Sequence, residues 1–142
     1  MVFLLDVNVL IALSWPQHVH HERAHGWFVD LGRQAWATTP VTESGFVRLS
    51  ANPAVVHRPV SAADAVAALQ VIRRLDGHVF LADDTSLAAP TISLTRLATS
   101  GQVTDVHLVN VAARHGAVLA TFDRAIPSYL DQPDEQHVQV IH

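Results

Sequence analysis

The chain has 142 residues, room for one domain at roughly 100 to 200 residues apiece. Nine Lys+Arg against 13 Asp+Glu leave a formal charge of -4, which excludes a basic nucleic-acid coat. With 49% hydrophobic and only 15% charged residues, disorder is excluded as well. There is no cysteine, and every cationic residue is an arginine. Disulfide frameworks, thiolate zinc sites, thiol nucleophiles and lysine-dependent mechanisms therefore fall away.

Val2 to Leu5 is a short apolar run stopped by Asp6, which predicts a strand buried on both faces of a parallel sheet. It has no positive n-region, so no signal peptide is expected. No apolar run approaches the roughly 18 residues that span a bilayer, and a cytoplasmic protein without membrane contact is expected. Helices are predicted from Val9 to Ser14 and from about Val19 to Leu31, the second ended by Gly32. Ala35 to Thr38 reads as a strand, and helical spacing after Pro40 predicts a helix over Val41 to Leu49 with Glu43 in its first turn.

Ser61-Ala-Ala-Asp64 has capping-box form ahead of the stripe Val66, Leu69, Ile72 and Leu75. Val79 to Leu81 is a strand candidate and Thr91 to Ala98 a helix candidate. Thr104 is expected to cap a helix carrying Val106, Val109 and Ala113, with Gly116 as its terminator. Ala117 to Thr121 and Val138 to Ile141 complete the strands. Alternation of strands with helices predicts one α/β domain over residues 1–142, a sandwich with a mostly parallel central sheet.

In such a sheet the working groove lies outside the carboxyl ends of the strands. Asp6 and Asp123 each follow a strand, Glu43 follows the strand ending at Thr38, and Asp105 opens the helix that feeds the strand before Asp123. Taken singly, Asp6, Asp105 and Asp123 suit helix or turn capping, and Glu43 suits a solvated first turn. Placed jointly at one end of the sheet, they favour chemistry. Clustered carboxylates repel unless a cation neutralises them, and oxygen-only ligands favour Mg²⁺ or Mn²⁺. Such an ion lowers the pKa of a water and stabilises charge on a phosphoryl oxygen.

Leu4-Leu5-Asp6-Val7-Asn8-Val9-Leu10-Ile11, Thr42-Glu43, and Val103-Thr104-Asp105 through Ala120-Thr121-Phe122-Asp123-Arg124 together carry a family likeness. In this order and spacing the chain resembles a PIN-domain ribonuclease, specifically a VapC-type toxin of a toxin-antitoxin pair, over nearly its whole length. The resemblance implies a PIN-like three-layer sandwich and a Mg²⁺- or Mn²⁺-dependent endoribonuclease whose metal is held by Asp6, Glu43, Asp105 and Asp123. It implies that Asn8 and Thr121 support that set. It further implies a homodimer acting on RNA and silenced by a cognate antitoxin protein.

Three rival signals accompany these. His21-Glu22-Arg23-Ala24-His25 has the H-E-x-x-H form of zinc metalloproteases, but no further histidine follows at the expected spacing. The cluster His18, His20, His21 and His25 then reads as a solvated helix face or a partner surface. Asp6-Val7-Asn8 resembles the aspartyl nucleophile of haloacid dehalogenase-like phosphatases, which need a lysine that this chain lacks. Asp83-Asp84 reads either as extra metal ligands or as a turn capping Ser86. Trp15, Trp27, Trp36 and Phe28 are expected in the core or an interface. Arg124 and Arg48 are the candidates for substrate phosphate, since a guanidinium fork matches phosphate geometry. A catalytically inactive PIN-like binding module is the alternative to the nuclease.

Overall fold

The computed structural model describes residues 1–142. Its elements in chain order are β1 (Val2–Leu5), α1 (Val7–Ser14), α2 (His21–Leu31), β2 (Ala35–Thr38), α3 (Pro40–Ser50), α4 (Pro53–Val56), α5 (Ala62–Ile72), β3 (His78–Phe80), α6 (Val103–Arg114), β4 (Val118–Thr121) and β5 (Val138–Val140). The five strands form one sheet in the order β3-β2-β1-β4-β5, and every neighbouring pair is parallel. No helix is long and apolar enough to cross a membrane.

The period-2 alternation of strand side chains divides the interior into two cores. Leu5, Trp36 and Ala120 face one way and pack with α1, α2, α3 and α5, through residues such as Leu10, Leu31, Phe46 and Leu69. Leu4, Ala37 and Leu119 face the other way and pack with Val106, Val109 and Ala112 of α6. The sheet is thus sandwiched between helical layers, and β1 at its centre has Leu4 and Leu5 fully buried.

Several boundaries differ from the sequence reading for local reasons. Helix α1 begins at Val7, because Asp6 is extended (φ -63°, ψ 157°) and its side chain accepts from the Val7 N–H. Helix α2 begins at His21 rather than near Val19. Thr104 is not a cap: a 3₁₀ turn over Ser100–Gln102, with a Thr99/Gln102 capping box, leads into α6 at Val103. Ser61 and Asp64 do form the expected capping box. The stripe on α5 is rotated, burying Ala65, Leu69 and Ile72 while Val66 and Leu75 stay exposed.

No helix forms over Thr91 to Ala98. Its polar groups are taken by distant side chains: the Thr91 N–H donates to Asn110 Oδ1 at 2.8 Å, the Ser93 N–H to Asp134 at 2.9 Å, and the Thr95 hydroxyl to Asp131 at 2.8 Å. Such bonds offer the backbone an alternative to the helical ladder.

Candidate active site

Strands β2 and β4 flank β1, and each ends in the dipeptide Ala-Thr. Both terminal threonines are fully buried, and both hydroxyls donate to a carboxylate at 2.6 Å: Thr121 to Asp6 Oδ2, and Thr38 to Glu43 Oε2. The carboxyl edge of the sheet thus carries two threonine-held acids, one on each side of β1.

On the β4 side, Asp6 uses both oxygens. Oδ1 takes the Val7 N–H at 2.7 Å while Oδ2 takes Thr121, so the carboxylate caps α1 and faces the site at once. The Thr121 oxygen also accepts from the Asp123 N–H at 3.0 Å and from Asn8 Nδ2 at 3.3 Å. Asn8 Oδ1 in turn accepts the Phe122 N–H at 3.3 Å. One hydroxyl therefore fixes the relative positions of Asp6, Asn8 and Asp123. Asp123 Oδ1 takes the Ala125 N–H at 2.9 Å, the expected turn role, which leaves its second oxygen free of protein partners.

Asp105, in the first turn of α6, is half-buried and belongs to no hydrogen bond or ion pair of the chain. Burial, then the charges of Asp6 and Asp123, push its carboxyl up from 3.8 to about 6. Burial likewise raises Asp6; the Thr121 hydroxyl and Val7 N–H oppose that rise, and the charge of Asp123 adds to it. The three aspartates thus feel one another electrostatically. They are not drawn into a closed cage, since no group of three or more His, Cys, Asp and Glu side chains is spaced to hold a metal ion.

Glu43 is held by a set of contacts of its own. Besides the Thr38 hydroxyl it meets Arg73 Nη1 at 3.4 Å. The Thr38 oxygen also meets His78 Nε2 at 2.8 Å, and His78 is lowered first by burial and then by the Arg73 charge, with Glu43 opposing. A hollow of about 380 Å³ lies beside the acids, lined by Val7, Pro40, Ser44, Gly45, Arg48 and Thr104 among others. Arg48 shares its wall with Val7 and Thr104, the sequence neighbours of Asp6 and Asp105. Arg124 is exposed directly after Asp123. A larger hollow of about 530 Å³ between α1, α2 and α5 is apolar and lined by none of the acids.

The rival signals resolve structurally. His21 and His25 stand one helical turn apart with ring centroids 6.2 Å from each other, but no third ligand joins them, and the His21 Nδ1–H donates to the Ala12 carbonyl at 2.7 Å. The metalloprotease reading is therefore set aside. The pKa of His18 is lowered by burial and then by the charges of His20, His57 and His21. Asp83 and Asp84 are engaged in ion pairs: Asp83 pairs with His107 at 2.8 Å, and Asp84 with His115 at 3.0 Å and Arg114 at 3.8 Å. They tie the segment after β3 to α6. Trp15 and Trp36 are buried and spend their N–H groups on Ser50 Oγ and the Asp76 carbonyl, and Trp27 packs edge-on to Phe3.

Thr38, His78 and Arg73 are missing from the sequence-derived site. The repeated Ala-Thr at the ends of two strands is the signal that points to Thr38. Nothing local points to Arg73, thirty residues from Glu43.

Acids gathered at the carboxyl edge of a parallel sheet, two of them held by strand-terminal threonines, define an acid-centred α/β domain. A family model described as PIN domain matches residues 3–129. The chain is 48% identical over 128 residues to Ribonuclease VapC39 of Mycobacterium tuberculosis, covering 89% of this chain and 91% of that one. It is 43% identical over 138 residues to Ribonuclease VapC38 of the same organism, covering 97% and 96%. Among solved structures, a chain of VapBC2 from Rickettsia felis, bound to a DNA fragment from its promoter, matches at a TM-score of 0.63 and 10% identity over 100% of both chains; that likeness is one of fold. The chain belongs to the PIN domain family, alongside its VapC-type relatives.

Proposed function

We propose that this chain is a divalent-metal-dependent endoribonuclease toxin, held in check by a cognate antitoxin protein. The observation that carries the metal site is Asp105, a half-buried carboxyl with no partner in the chain, pushed up to about 6 by burial and by two neighbouring aspartates. A bound cation removes both penalties, and the donor set fits a hard one: carboxylate oxygens and no thiolate. Asp6, Asp105 and Asp123 would hold Mg²⁺ or Mn²⁺, with Glu43 as the fourth acid from the other side of β1.

When bound, the ion would acidify a water and offset charge growing on the phosphoryl oxygens of RNA. The chain's own residues prepare the site. Thr121 locks the Asp6 carboxylate, Asn8 ties that hydroxyl to the Phe122 peptide, and Arg48 and Arg124 offer planar guanidinium groups to neighbouring phosphates. RNA as substrate is supported by relatives named ribonucleases at 43–48% identity. A cognate antitoxin and a homodimeric assembly are what the likeness to VapC-type toxins implies for this chain.

The test is cleavage of total cellular RNA by the purified protein with Mg²⁺ or Mn²⁺, beside EDTA and the Asp6→Ala variant. Discrete fragments that vanish in both controls are expected. No cleavage in any lane, with Mn²⁺ binding demonstrated by calorimetry, would make the chain a binding module instead.

A further inference from the structure

The start of α2 reaches across to the peptide between the two site residues of β4. Arg23, in the first turn of α2, stacks its guanidinium over the Phe122 ring with Cζ 4.4 Å from the centroid. His20, just before the helix, sets its ring 5.4 Å from the same centroid. Phe122 lies between Thr121, which holds Asp6, and Asp123, and its N–H is fixed by Asn8. A cation and a second basic ring thus rest on an aromatic whose backbone belongs to the acid site.

Arg23 is also uncommitted. Arg73 pairs with Glu43 and Arg114 with Asp84, whereas Arg23 makes no ion pair or hydrogen bond, and its Nε is buried without a partner. A buried donor left unpaired costs free energy and calls for an explanation. In a chain of net charge -4, an unpaired guanidinium stacked on the residue between Thr121 and Asp123 is suited to an anion brought by the substrate.

We propose that Arg23, braced by Phe122 and His20, is a substrate-binding residue that takes a backbone phosphate of RNA flanking the cleaved bond on the β4 side. This rests on the endoribonuclease reading. Phe122 pre-orders the guanidinium, so little rotamer freedom is lost when the phosphate docks.

The experiment measures binding of a fluorescein-labelled single-stranded RNA of mixed sequence by anisotropy, as a function of salt, in Mg²⁺ with the cleavage-silent Asp6→Asn protein as background. Adding Arg23→Ala is expected to weaken binding roughly tenfold and to reduce the log–log salt slope by about 0.7. Arg23→Lys should keep the slope while losing part of the affinity, and Arg33→Ala, at the far end of α2, should change neither. Thermal melts accompany each variant to show that it is folded. If wild-type protein cleaves RNA while Arg23→Ala binds with unchanged affinity and slope, the inference is overturned alone. If wild-type neither binds nor cleaves RNA, the endoribonuclease reading fails and the inference with it.

Discussion

Thr121 is a single hydroxyl on which three site residues depend: it donates to Asp6, accepts from Asn8 and receives the Asp123 N–H. Thr121→Val keeps the strand's β-branched shape but removes all three bonds, and cleavage of RNA is expected to fall about 10- to 100-fold, the usual cost of losing an outer-shell partner. The aspartates make a second prediction, of pH dependence. Burial and like charge raise the folded-state pKa of Asp105 from 3.8 to about 6, so the folded protein binds a proton there that the unfolded chain releases earlier. Its contribution to stability is present below about 4 and lost as pH rises through about 6. Thermal melts in EDTA should therefore show stability falling across that window. Asp105→Asn should flatten the fall and raise the melting temperature at pH 7.

Gly45 sets how closely α3 approaches α1. A Cβ placed there would lie 2.8 Å from Val7 Cγ2, and valine is stiff at χ1, so the clash cannot be relieved by rotation alone. Overpacking of this kind costs about 1–3 kcal/mol, against about 1 kcal/mol gained from alanine's helix propensity. Gly45→Ala is expected to lower the melting temperature by about 2–4 °C, and adding Val7→Ala should recover most of it, which differential scanning calorimetry will show. At this scale the sequence is legible where an element closes its own accounts locally. Val2–Leu5 is a continuous apolar run bounded by Asp6 and Ala35–Thr38 a short run bounded by Thr39-Pro40, and both are strands to the residue. Thr91 to Ala98 has apolar residues at helical spacing, yet Asp131, Asp134 and Asn110, remote in sequence, claim its polar groups. The same limit applies to the site. Asp6 and Asp123 are legible because one directly follows β1 and the other follows β4 after a single residue, whereas the Glu43 environment depends on Arg73 and His78, which reach it only through the tertiary fold.

Across the whole molecule, a cation that binds the folded acid cluster and not the unfolded chain stabilises the fold by mass action. Mn²⁺ at about 100 times its dissociation constant should add about 2.7 kcal/mol, read as a rise in melting temperature that EDTA reverses and that Asp6→Asn abolishes. A rise that persists in Asp6→Asn would place the ion elsewhere, for instance on the histidines around His18. The sheet order β3-β2-β1-β4-β5 also bears on how the chain is made. Its middle strand comes first in sequence, and its two flanking strands arrive far apart, one ending at Thr38 and the other at Thr121. A growing polypeptide that has reached residue 100 holds Asp6 and Glu43 but neither Asp105 nor Asp123. With N-terminal segments folding first during synthesis, a ribosome translating this chain carries no assembled acid cluster beside its own RNA until β4 has docked.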